Sequence, residues 1–293
     1  MPETADPSTE TPSVRRRRRV LVGVLLAAAV ALYVAIVVAY AASESSAVTQ
    51  APQTRPAGGV TVQLTARTIT AAGGSMHVDV TIDPDDTLLG DDGYPAEAIT
   101  VSLDPTEEDV DLVFDAGKRP QSHTATLLFD GDIQDWPFDT YATPVSAFVT
   151  VGTGTDARMV DSIVEFDGSV QGWELSATPD PDAPDLFVDA AFHRSPAIVL
   201  FGLTLVLVLV LLPATCWVVG WKLYRERRLF EAGFLGWIAA LLFATIPIRN
   251  FFPGSPPPGS WVDVLVVLWV VVALAAALFV GVAAWIRSPR PSP

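Results

Sequence analysis

One cysteine, two lysines and three histidines are all that this 293-residue chain holds of those residue types. The lone thiol, Cys216, falls inside a long apolar run, so no disulfide framework and no thiolate metal site can stabilise the polar part of the chain. Packing must do that instead. His77, His123 and His193 are far apart in sequence, and no Gly-x-Ser-x-Gly, Cys-x-x-Cys, His-Glu-x-x-His or phosphate-binding glycine run occurs. Adjacent carboxylates do occur, as at Asp85-Asp86 and Glu107-Glu108, but the abundance of acid explains them. These absences point away from an enzyme. Lys118 and Lys222 stand against sixteen arginines, and Ala, Val, Asp and Pro are plentiful, a composition suited to a cell-envelope protein of a GC-rich bacterium.

Long apolar runs are what the chain has instead. Val20 to Ala42, Pro196 to Trp221, Phe230 to Pro247 and Trp261 to Ile286 each approach the ~20 residues a helix needs to cross a hydrocarbon core. Arg15 to Arg19 precede the first run, Lys222, Arg225, Arg227 and Arg228 follow the second, and Arg287 and Arg290 follow the fourth. If the spans alternate in direction, all of these cations share one face, which the bias of cytoplasmic loops marks as the inner one. The lipid bilayer is therefore an expected partner. This divides the chain into a cytoplasmic tail (1–19), a first span (20–42), a linker (43–59), an exported domain (60–195) and a second span (196–221). A cytoplasmic loop (222–229), third span (230–247), external loop (248–260), fourth span (261–286) and cytoplasmic tail (287–293) complete it. Trp217, Trp221 and Trp285 would mark the inner interface, and Phe251, Phe252 and Trp261 the outer one. Ala39-Tyr40-Ala41 offers a cleavage pattern for a signal peptide, yet the first apolar core exceeds the ~7–15 residues usual for one, so an uncleaved anchor is expected.

Between Ser43 and Ser195 lie 27 acidic and six basic residues, a net charge of −21. That surface serves solubility first; it also disfavours nucleic acid and would attract cations or basic partners. Apolar residues there recur with a period of two in Val60–Ile69, Met76–Ile82, Ile99–Leu103, Val110–Phe114, Thr124–Phe129, Val145–Val151, Met159–Phe166 and Leu186–Phe192. Turn signals such as Ala72-Gly73-Gly74, Asp91-Asp92-Gly93 and Asp167-Gly168 separate them. The expected fold class is thus an α+β membrane protein: an N-terminal transmembrane helix, an exported antiparallel β-sandwich and a C-terminal three-helix bundle. Residues 43–59 read as an extended tether, whereas the last strand runs directly into Pro196, a residue suited to a helix's first turn.

Two places in the exported segment invite a site. Trp136, Pro137, Phe138, Asp139 and Tyr141 form a rigid aromatic turn, which would bury one corner of the sandwich or else bind a ligand. Asp83, Asp85, Asp86, Asp91 and Asp92 crowd one loop, which reads first as a solvated loop; calcium is the ion their hard oxygens would suit, although Leu88 stands where an EF-hand needs glycine. Small residues every fourth position, such as Gly23, Ala27 and Ala31 or Ala232, Gly236 and Ala240, would let spans pack closely within a bundle or a homo-oligomer.

Trp136 to Tyr141, Arg194-Ser195, and the run from Arg249 to Gly259 with Asp263 resemble a bacterial membrane-protein family catalogued as domain of unknown function 4436. The resemblance runs from the first span to the last, and it implies the same architecture with no assigned activity. A partial likeness to pentameric ligand-gated channels rests on the aromatic-Pro-Phe-Asp turn, the Arg before the second span and the closely spaced helices. It would equate the last three spans with the channel's first three helices. This chain departs from that pattern in its extra N-terminal span, the absence of a further helix and of a cysteine pair, and a third span without a polar stripe. Glu231 at that span's cytoplasmic end reads as an interfacial residue near Arg227 and Arg228, and on the channel likeness it would be the carboxylate of a cation-selective ring. The expected role is therefore a binding, scaffold or sensor protein of the envelope, with a channel-like or transport subunit as the alternative.

Overall fold

Met76, Val78, Val80 and Ile82 are buried while His77, Asp79, Thr81 and Asp83 are not, the alternation imposed on a strand with one face in a core. The computed structural model describes residues 12–44, 48–50, 53–108, 111–180, 187–225 and 232–287. In chain order these form α1 (Pro12–Glu44), β1 (Thr49–Gln50), β2 (Val60–Thr70), β3 (Ser75–Pro84), β4 (Ile99–Asp104), β5 (Leu112–Phe114) and β6 (His123–Leu128). There follow β7 (Asp130–Gly131), β8 (Thr140–Val151), β9 (Arg158–Val160), β10 (Ser162–Asp167), β11 (Trp173–Pro179) and β12 (Val188–Arg194). Helices α2 (Pro196–Arg225), α3 (Ala232–Asn250) and α4 (Leu268–Arg287) close the chain, α4 being entered through a π-helical turn at Asp263–Val267.

Two sheets share one hydrophobic core. The larger has the order β1-β11-β12-β8-β4-β5, with β7 and β9 also on β8; the smaller has the order β10-β2-β3-β6. Val62, Leu64, Met76 and Val80 of the smaller sheet lie in the same cluster as Val101, Val149, Leu175 and Phe192 of the larger. β8 is the spine: its first half pairs with β12 and its second with β4, so one strand connects the end near the helices to the far end. Pairing is mixed rather than antiparallel throughout, because β10 runs parallel to β2 and β1 parallel to β11.

The tether expectation is corrected on the described part of residues 43–59. Thr49 and Gln50 pair with β11 in one sheet, while the Gln50 side chain donates to Val164 O at 2.8 Å and accepts from Phe166 N at 2.6 Å in the other. A single amide thus satisfies edge groups of β10 that would otherwise stay unpaired, and it fixes one sheet to the other. Arg55 adds bonds to Thr61 and the carbonyl of Pro84, and an ion pair with Asp83.

Among the described residues, four helices are long and apolar enough to cross a membrane. Leu209 and Cys216 of α2, seven residues apart, share a buried cluster with Ile238 of α3 and Val270 and Leu274 of α4. Gly23, Gly233 and Gly236 have no neighbouring atom within 4 Å of a side-chain position, so within one chain these small residues are not where helices approach most closely.

Candidate functional site at the junction of sheets and helices

The aromatic turn follows from its residues. Asp132 caps the short turn at Ile133–Asp135 by accepting from Gln134 N at 2.8 Å, and Phe138 N then bonds Asp135 O at 2.9 Å. Pro137, joined to Trp136 by a cis peptide bond, turns the chain into β8. Trp136 is thereby projected away from the sheets, and its side chain is fully buried among helices instead of at the corner of the β-rich part. Its indole N–H donates to Pro253 O at 2.7 Å and its carbonyl accepts from Trp261 Nε1 at 2.6 Å. Its ring stacks on Phe252 at 4.9 Å between centroids. Gly202 of α2 admits the ring edge: a Cβ there would stand 2.8 Å from two indole carbons, closer than real side chains approach.

Three residues further on, Asp139 is buried and accepts from Arg194 Nε at 2.9 and 3.2 Å. Arg194 Nη2 lies 2.9 Å from the same carboxylate, and Tyr141 OH donates to it at 2.8 Å. Arg194 is the last residue of β12, its guanidinium 4.2 Å from the centre of the Trp173 ring. Burial, then the bond to Asp139, holds the Tyr141 phenol proton well above its ordinary range. In the sheet core the Tyr141 ring stacks on Phe192 and meets Phe129 and Trp173 edge-on, and Trp173 also meets Phe192 edge-on. Gly254, at φ +77°, brings the α3–α4 loop so near Arg194 that any side chain there would overlap the guanidinium.

That loop has its own brace. Arg249 at the end of α3 donates to Asp263 through Nε at 2.9 Å and Nη2 at 2.7 Å, and also to Pro256 O at 2.9 Å. Gly259 N adds a bond to Asp263 at 3.1 Å. Such bidentate geometry fixes the loop's two ends to each other.

Of the five residues expected to form a ligand turn, the structure therefore gives Trp136, Asp139 and Tyr141 partners from the chain itself, buries Pro137, and leaves only Phe138 exposed. Phe252 and Trp261, two of the aromatics expected near the outer membrane interface, both contact Trp136, while Phe251, the third, is exposed. Gly202, Phe252, Pro253 and Gly254 carry no signal of this role in the sequence beyond small size or ring.

Among the described residues no three His, Cys, Asp or Glu side chains are grouped so that they could hold a metal ion. Asp83 pairs with Arg55, and Asp92 accepts from Tyr94 N at 3.1 Å. Asp85 accepts from the Thr87 hydroxyl and from Gly58 N, which hold its carboxyl below the usual range, while Asp86 and Asp91 face solvent. Glu231 lies outside the described residues.

The fold and this site define a two-part protein in which a β-rich unit is bolted to a bundle of long apolar helices. Residues 49–193 match the family described as Domain of unknown function (DUF4436), and residues 194–288 match a second family described as Domain of unknown function (DUF8686). The likeness expected from the first span to the last is thus met over residues 49–193 by the first family and followed by the second, the first span lying in neither match; the division falls between His193 and Arg194, inside the junction. Neither description names a channel. No curated protein matches the chain.

Proposed function

We propose that this is a four-span protein of the cell envelope whose β-rich unit is an exported β-sandwich that binds a partner, with the bundle as its anchor and relay. The observation that carries this reading is the seating of Trp136, whose N–H, carbonyl and ring are all engaged by the helical part. With Asp139 locked to Arg194 at the entry of α2, the sandwich cannot tilt without moving the 251–261 loop or the first turns of α2. The basic residues at the inner ends of the spans support an exported sandwich, and its charge of −21 suits a basic protein partner over nucleic acid. We read the unit as non-catalytic, because its buried charges, Asp139 and Arg194, are used on each other.

The channel reading has one observation in its favour, the same coupling of turn, loop and helices. Against it, α3 turns Trp237, Phe243 and Ile246 outward, and its polar Thr245 is bonded to Leu241 O. Purified protein in planar bilayers separates the two, with and without Glu231→Gln. The anchor-and-relay reading gives no unitary currents from either version. Cation-selective openings abolished by the substitution would replace it with the channel.

A further inference from the structure

Trp136 also sets the depth of the sandwich. Gly202 and Phe252 both meet its ring, so α2 at Gly202 is level with the chain just beyond the end of α3. The first six residues of α2, about 9 Å of rise, therefore stand beyond that level, where Ile198 packs on Gly172 of the β-rich unit. From Gly202 to Lys222 the helix then covers about 30 Å, and the 18-residue span Gly233–Asn250 about 27 Å, both close to a hydrocarbon core. The turn at 136–138 thus sits at the edge of the apolar surface that the helices share.

Two large side chains are left outward at this level. Phe138 is 59% exposed and Phe251 70% exposed, each the near neighbour of a ring in the Trp136–Phe252 stack. Single exposed apolar residues need no explanation, but these two flank one stack at the level where α3, with Phe243 and Ile246 exposed, ends.

We infer that this turn is seated in lipid: Phe138, with Phe251, enters the boundary between headgroups and acyl chains of the outer leaflet, making the sandwich itself a lipid-contacting domain. The inference rests on the membrane reading above. Its chemistry is that of an interfacial aromatic anchor, with the ring among acyl chains and the backbone, held by Asp135, at the polar side.

The test uses the full chain in phosphatidylcholine nanodiscs, with Cys216→Ala and a nitroxide on one introduced cysteine. The sites are Phe138, Phe251, Phe243 on α3, and Met159, which is exposed on the sheets. Collisional broadening by oxygen and by a water-soluble nickel chelate is read at each. Labels at 138 and 251 should respond several-fold more to oxygen than to nickel, in the same sense as 243 and opposite to 159. A label at 138 that responds to nickel as 159 does, while 243 remains oxygen-dominated, overturns the lipid seat and leaves the membrane reading intact. A label at 138 shielded from both reagents overturns it too, in favour of a protein contact. Nickel-dominated broadening at 243 overturns both the membrane reading and the inference.

Discussion

The indole N–H of Trp261 donates to the carbonyl of Trp136 at 2.6 Å across a separation of 125 residues. Neither group can be satisfied this way unless the turn before β8 and the entry to α4 are held in register. The bond of the Trp136 indole to Pro253 O, across 117 residues, imposes the same condition from the other side. A side chain with its ring, donor and backbone acceptor all committed behaves as a pin, and its removal should be felt on both sides.

The pairing of Asp139 with Arg194 is almost fully shielded from solvent, so breaking one partner leaves a buried charge. Arg194→Met should destabilise the full-length protein in detergent by about 3–5 kcal/mol, whereas the double variant Asp139→Asn, Arg194→Met should recover a substantial part. Thermal unfolding of the four members of the cycle measures the coupling. A coupling near zero would mean that the two side chains do not act as a pair.

Gly202 is required for space and not for backbone freedom. Gly202→Ala should cost about 1–3 kcal/mol, because its Cβ meets the edge of Trp136, while Gly220→Ala, with no atom within 4 Å, should be neutral or stabilise by up to about 1 kcal/mol. The same unfolding assay compares them. Equal effects would show that α2 does not pack on the indole.

Tyr141 predicts an alkaline dependence. Its folded value lies above the unfolded value of about 10, so its stabilising contribution is full below that pH and is lost as pH rises beyond it towards the folded value. Difference titration of wild type against Tyr141→Phe at the phenolate absorption band should show one tyrosine resisting ionisation until the protein unfolds. A phenol titrating at the ordinary value would contradict the hydrogen bond to Asp139.

Orientation is open to thiol labelling in intact cells. Cysteine at Ser255 should react with an impermeant maleimide and cysteine at Arg290 should not. Reaction at 290 with silence at 255 would invert the protein.

Much of the architecture is legible because its signals are local. Length and apolarity mark the four helices, and alternation marks most strands, although Met159–Phe166 proves to be two strands, β9 and β10, separated at Asp161. β11 escapes the sequence reading even though Trp173, Leu175 and Ala177 alternate with Glu174, Ser176 and Thr178, because Gly172 before it and Pro179 at its end weaken the strand signal. The partner of Trp136 could not be read at all. A buried tryptophan serves a sheet core or a helix bundle equally well, and which it joins depends on groups more than a hundred residues away. Gln50 is hidden for a related reason, since a polar residue in a Ser- and Pro-rich stretch looks like linker until β10 is placed beside it.

The claim at the centre of this account is that the β-rich unit and the helices move together through Trp136. Hydrogen exchange of the full-length protein in nanodiscs, wild type against Trp136→Ala, tests it most directly. Removing the indole strips a fully buried side chain worth about 3–5 kcal/mol from the junction. Exchange should therefore accelerate in the 251–261 loop and the first turns of α2, with protection of β2 and β3 unchanged. Unchanged exchange in the loop and α2, with loosening confined to the sheets, would mean that the two parts are merely adjacent and that the junction relays nothing.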